Sequence, residues 1–183
     1  LSTQEQTAAL ARDEIDADIL IGPSGNSDFR AQRLRREALW LVAPKDHPLL
    51  AHAAVAVGDL ARTPLVMGDL AHWEAYRRQL DDTLRRNGVR IDVAMEAPNT
   101  LALLGHVAAG IGVTVYPKTI TQLLGPGFGA RPIEGEGLTV DTVLVRRSAN
   151  RSEPILRFME TASAVAADDP PPAASTKAGG AAS

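Results

Sequence analysis

Cysteine is absent from this 183-residue chain, which excludes a disulfide framework and any thiolate metal site. Its absence fits the reducing cytosol. No strong charge of one sign is present either. Nineteen basic residues stand against 22 acidic ones, a net charge of −3, so there is no electrostatic footprint for nucleic acid on this piece itself. No apolar run reaches membrane-spanning length, and residue 1 opens no charged-then-apolar signal segment. The four histidines, at 47, 52, 72 and 106, form no i,i+4 pair and no His-Glu-x-x-His, so no metal site and no cofactor is expected. His47, between Asp46 and Pro48, and His106, within an apolar helical stretch, read as structural residues.

Assembled catalytic groups are lacking as well. Gly22-Pro-Ser24-Gly25 misses the Gly-x-Ser-x-Gly spacing of a nucleophile elbow. The glycine cluster at 125–129 contains a proline and precedes no long helix, whereas a dinucleotide loop needs a helix N-terminus to hold its pyrophosphate. Asp81 and Asp82 stand four residues before Arg85 and Arg86, which makes them a solvated helix face. The reading is therefore non-enzymatic. No helix-turn-helix is found.

What is present is an α/β pattern, clearest between residues 90 and 118. Residues 90–95 alternate as a strand, Pro98-Asn99 stops it, and Asn99 is a good N-cap for an apolar, well-buried helix ended by Gly110. Residues 111–116 are β-branched and short, a buried parallel strand. Ligands in such sheets bind beyond the strands' carboxyl ends, which points at residues 97–100 and at Tyr116-Pro117. Elsewhere the pattern predicts a helix from a Ser2/Glu5 capping box, strands at 15–21, 38–43, 64–67 and 140–145, and a polar loop at 24–28. A basic segment follows at 29–36. Residues 72–87 read as an amphipathic helix with Glu74–Arg78, Asp81–Arg85 and Asp82–Arg86 pairs. A last helix has the stripe Ile155, Phe158, Met159, Ala162 and Val165. Residues 167–183 read as a disordered tail. Of the basic cluster Arg30, Arg33, Arg35 and Arg36, Arg35 is the arginine to place against a carboxylate ligand, where a planar fork suits bidentate binding.

Five motifs in order carry a family resemblance: Leu1-Ser-Thr with Ile15-Asp16-Ala17-Asp18-Ile19; Glu37-Ala-Leu-Trp-Leu-Val-Ala-Pro44; Asp46-His47-Pro48-Leu49; Asp59-Leu60 with Thr63-Pro64-Leu65-Val66; and Val107-Ala-Ala-Gly-Ile-Gly112 with Val115-Tyr-Pro117. Together they resemble the effector-binding, or substrate-binding-like, domain of LysR-type bacterial transcriptional regulators. The resemblance covers residues 1–166.

It implies two Rossmann-like α/β subdomains joined by two crossover strands, a type 2 periplasmic-binding-protein-like fold with a small-molecule effector in the cleft. Subdomain I would comprise residues 1–43 and 145–166, subdomain II residues 44–144. Carried over position by position, the cleft would be lined by Ser2, Thr3, Arg35, His72, Trp73, Tyr76, Asn99 and Thr100. Three helix N-termini would converge there, favouring a carboxylate-bearing or otherwise polar metabolite. The family's winged helix-turn-helix, linker helix and first strand and helix of the effector domain have no counterpart in the sequence. DNA would be reached only through such a reader in a full-length cytoplasmic dimer or tetramer, with no membrane partner. The rival expectation is the solute-binding protein of a transporter, which shares the two-lobed plan and needs an export signal.

Overall fold

The computed structural model describes residues 3–22 and 27–168. In chain order its elements are α1 (Thr3–Ala11), β1 (Ala17–Ile21), β2 (Phe29–Pro44), β3 (Val55–Ala56), β4 (Pro64–Gly68), α2 (Leu70–Arg86), β5 (Asp92–Ala97), α3 (Thr100–Ala108), β6 (Thr114–Pro117), β7 (Phe128–Glu134), β8 (Thr139–Arg147) and α4 (Glu153–Asp168). Short 3₁₀ turns span Pro48–Ala51, Val57–Arg62 and Lys118–Leu123. His47 caps the first of these, its Nδ1 accepting from the Leu49 N–H at 3.3 Å.

The basic segment expected ahead of residue 38 is strand instead. β2 is continuous over 16 residues. Arginines are poor predictors of a strand because one face of this half lies in solvent, where their long stems cover sheet and their heads stay wet. Its first part, Phe29 to Ala38, pairs antiparallel with β8, with a bulge between Arg33 and Arg35. Its last part, Leu39 to Pro44, pairs antiparallel with β6 and β7. The sheet order is β1-β8-β2-β7-β3, with β6 also on β2, and β4-β5 form a second, parallel pair. The strands β3 and β7 carry too few or too mixed apolar residues for periodicity to reveal them.

The unit around α3 also differs in one respect. β5 and β6 are not neighbours, because β4 pairs parallel with β5 and bridges, at Leu65, to Val113 just ahead of β6. α3 therefore crosses over β4. Gly110, at φ 75°, takes the left-handed turn after the helix. The helix is less buried than its composition implies. Leu103 and Val107 pack with Val66 and Ala97, while Leu101 is 83% exposed.

The largest core cluster places Leu39, Leu41, Leu65, Met67 and Val115 from the strands against Tyr76, Leu80 and Leu84 of α2. A second joins Leu10 of α1 to Leu20, Phe29, Val143 and Val145. Each such large side chain contributes roughly 1.5–3 kcal/mol by leaving water. On α4 only part of the expected stripe is covered: Ile155 and Met159 are buried, and Phe158 and Val165 are exposed. Among the ion pairs of α2, Glu74–Arg78 forms at 2.7 Å, but Arg85 turns to Asp82 at i,i+3 and Arg86 donates to Thr83. No helix among the described residues is long and apolar enough to cross a membrane. The expected tail from residue 169 onward lies outside the described residues.

Arg36 straps β2 to β8 through a bidentate pair with Asp141, at 2.7 and 2.8 Å. The Arg36 hydrogen bonds hold the Asp141 carboxyl below the usual carboxylate range, against a smaller opposing effect of burial. A depressed folded-state pKa stabilises the fold above the unfolded value of about 3.9 and is lost as pH falls through the folded value. Asp141→Asn should therefore lower urea-unfolding stability at pH 7, and the difference from the parent chain should shrink as pH falls through the depressed folded-state value of Asp141, below the usual carboxylate range.

Candidate ligand-binding site

Beyond the carboxyl ends of β4 and β5, and beside the end of β6, lies a cavity of about 390 Å³. Its lining is built by the chain segments that leave those strands. Gly68 ends β4 and leads through Asp69 into α2, Ala97 ends β5 and leads through Pro98-Asn99 into α3, and Tyr116 stands in β6. The facing wall comes from Thr3 and Gln6 of α1 and Ile19, Leu20 and Ile21 of β1.

Two caps set the helix starts. The Asp69 carboxylate accepts the His72 N–H at 2.8 Å, and Asn99 Oδ1 accepts the Ala102 N–H at 2.9 Å. Asp69 also holds the His72 ring, with Nδ1 2.8 and 3.0 Å from its two oxygens. Desolvation is the largest single influence and works against the Asp69 charge, but the hydrogen bonds and charge of His72, with the Ala71 N–H, together outweigh it and keep the carboxyl below its usual range. A full negative charge thus sits at the start of α2. The partial positive charge of a helix N-terminus is only about half an elementary charge. Of the helix starts at this cavity, α1 has Glu5 in its first turn, and only α3 has no acidic residue in its cap or first turn.

Aromatic rings form the deep corner. Trp73 and Tyr116 meet edge to face, with centroids 5.8 Å apart and planes at 72°, and Tyr76 packs 6.3 Å from each. Tyr76 is buried, and its hydroxyl donates to the Val115 carbonyl at 2.7 Å. Burial drives the Tyr76 phenol far above its ordinary pKa, and it raises that of Tyr116 against an opposing hydrogen bond from Thr100. Both rings stay neutral at physiological pH. The Tyr116 and Thr100 hydroxyls lie 2.9 Å apart. Trp73 Nε1 donates to the Pro98 carbonyl at 3.3 Å. Its ring rests on Gly68, where a Cβ would come within 2.3 Å of the indole.

Behind this corner Arg77, 6% exposed, donates to the Gly68 carbonyl at 2.6 Å and to Glu96 at 3.0 Å. That buried guanidinium ties α2 to the ends of both β4 and β5. Gln4 reaches Glu74 across from α1, and Glu74 is also paired with Arg78.

Six of the eight residues expected at the cleft, namely Thr3, His72, Trp73, Tyr76, Asn99 and Thr100, line this one cavity. Ser2 lies outside the described residues. Arg35 is placed elsewhere. It lines a larger, apolar groove of about 600 Å³ between β1, β2, β8 and α4, with Leu34, Glu37 and Phe158. The bulge at Arg33/Arg35 shifts the register of β2 there, and a bulge is invisible to residue counting. Pro98 and Tyr116 lie in the two segments expected beyond the strands' carboxyl ends, whereas Gln6, Ile19, Leu20 and Ile21 were not among the expected residues. The signal for Tyr116 was its place at a strand's carboxyl end, whereas nothing local marks Gln6 or Ile19. Among the described residues no group of three or more His, Asp or Glu could hold a metal ion.

Residues 1–167 match the family model for the LysR substrate binding domain. Among curated relatives, the HTH-type transcriptional regulator AlsR of Bacillus subtilis is 24% identical over 159 residues, covering 87% of this chain and 53% of the relative. CatR of Pseudomonas putida, another HTH-type transcriptional regulator, is 27% identical, with 86% and 54% covered. The chain spans about half the length of the curated relatives it matches. In fold it is similar to the effector-binding domain of a BenM variant, with a TM-score of 0.83 at 21% identity over 92% of this chain and 79% of that one. The BenM effector-binding domain with its effector benzoate gives 0.79 at 20% identity, with 92% and 77% covered. Full-length CbnR complexed with target DNA gives 0.82 at 16% identity, with 91% and 58% covered.

Gly68→Ala should displace Trp73, cost about 1–3 kcal/mol by overpacking, and shift Trp73 emission in a Trp40→Phe background. Asp69→Ala should cost about 1 kcal/mol in denaturant unfolding, and Asp69→Asn much less, because Asn caps as well as Asp.

Proposed function

Since the chain belongs to the LysR substrate-binding-domain family, we propose that it is the ligand-sensing part of a LysR-type bacterial transcriptional regulator, taking a small carboxylate or otherwise polar metabolite in the cavity between its two lobes. Residues 1–43 with 145–166 form one lobe in this reading and 44–144 the other. The observation that carries it is the meeting of Thr3 from α1 with Asn99 and Thr100 from α3 at one cavity beyond the strands' carboxyl ends. Hydroxyls and helix-start N–H groups are suited to a carboxylate. A relative of the same fold, the BenM domain, has benzoate as its effector.

The ligand would act by favouring one arrangement of the lobes, and hence of a cytoplasmic oligomer that contacts DNA through a separate winged helix-turn-helix. Arg36–Asp141 and the continuous β2 would carry the change between lobes. The named curated relatives are transcriptional regulators, which favours this reading over a transporter's solute-binding protein and over an enzyme.

Thermal unfolding with benzoate, succinate and L-glutamate tests the site. A bound ligand at a hundredfold its Kd should add about 2.7 kcal/mol, or about 5–10 °C. Thr3→Ala with Asn99→Ala should abolish that rise; an equal rise in both proteins would sink the assignment. Reading the gene upstream of the Leu1 codon should show an in-frame winged helix-turn-helix, whereas an export signal there would make the cavity a solute-capture site.

A further inference from the structure

Taking that cavity as the ligand site, we infer that Trp73 is its specificity-determining residue and that it selects a flat, unsaturated carboxylate over a saturated one of equal size. The described lining contains no Lys, Arg, Asp or Glu. Its one titratable base, His72, is held by Asp69 at 2.8 Å. Charge therefore distinguishes poorly between one monocarboxylate and another here, and selection falls to shape and to the aromatic corner.

That corner is rigid. Trp73 cannot swing toward β4, because its ring already lies against Gly68. Its indole N–H is tied to Pro98, and Tyr116, its edge-to-face neighbour, is tied to Thr100. The backbone at Trp73 leaves the helical conformation, at φ −120° and ψ 20°, which separates the first turn of α2 from the body of the helix. Behind, Arg77 and Glu96 fix Gly68 and the end of β5.

Trp73 and Tyr116 are both half-buried and both line the cavity, whereas Tyr76 is buried behind them. The two rings, at 72° to each other, border the cavity together. A planar ring entering it gains stacking on one and an edge contact with the other, in the 4.5–7 Å range where aromatic pairs attract. A puckered saturated ring lacks the π-electron quadrupole of an aromatic ring and meets the same walls with apolar contact alone. Thr100 and Asn99 stand at the same corner, so the carboxylate and the ring of one small molecule can be served together.

Benzoate and cyclohexanecarboxylate share charge and carbon count and differ in planarity. Their Kd values are to be measured by calorimetry on the 183-residue chain, with Trp73 emission followed in the Trp40→Phe form. Benzoate should bind at least tenfold more tightly and perturb Trp73 emission. Trp73→Leu should bring the two affinities within about twofold of each other, and Trp73→Phe should keep part of the preference. Equal affinities in the parent chain would overturn the inference while leaving the carboxylate-sensing reading intact. Binding of neither acid would overturn both the inference and its choice of ligand class. The parent-chain ratio needs no variant, so a Trp73→Leu chain that fails to fold leaves the test decisive.

Discussion

The rest of the structure depends on β2, one strand that pairs with β8 along its first part and with β6 and β7 along its last. A strand can serve two surroundings only if its side chains change character along its length. Its first half is largely exposed and carries four arginines, whereas Leu39, Leu41, Val42 and Ala43 in its second half are buried. The apolar half anchors the main core under α2. The polar half of β2 is itself largely in solvent, where Arg36 and Asp141 hold β2 and β8 in register. Because every ladder bond is shared with a neighbour, shifting β2 by one residue would turn the buried set outward.

The cavity follows from how chains leave strands. Parallel strands release their carboxyl ends on one edge, and the segments that begin the next helices meet there. In this chain the caps Asp69 and Asn99, the wall residue Pro98 and the ring of Trp73 all belong to such exits. Two kinds of chemistry result side by side. Small polar groups gather at the starts of α1 and α3, and neutral aromatic rings gather around Gly68, where the missing side chain admits an indole. The carboxylate of Asp69 offsets the positive end of the α2 dipole, and the start of α3 has no acidic residue in its first turn.

Much of this was legible before any coordinates. The strand–helix–strand pattern of residues 90–118, the Asn99 cap and the turn after α3 are local matters of period and capping, and they appear where side-chain chemistry puts them. That residues from the starts of α2 and α3 would border one cavity was legible too, through the family resemblance. What was not legible is non-local. Leu101 is apolar yet exposed, because which side of a helix is covered depends on the neighbour laid against it. The short strand β3 exists only because Val55 and Ala56 find Ile133 and Glu134. Arg35 faces another groove, since a single bulge redirects the side chains around it.

The amino-acid sequence by itself determined the α/β class, the capped start of α3, the family and the absence of thiolate chemistry, because each rests on residue type and spacing over a few turns. Only the tertiary structure decided that β4 separates β5 from β6, that β2 runs unbroken through its arginines, and that Trp73, Tyr116 and Thr3 share one cavity. Those facts join residues more than a hundred positions apart. They are settled by ladder pairing and by the space a glycine leaves, neither of which has a local signature.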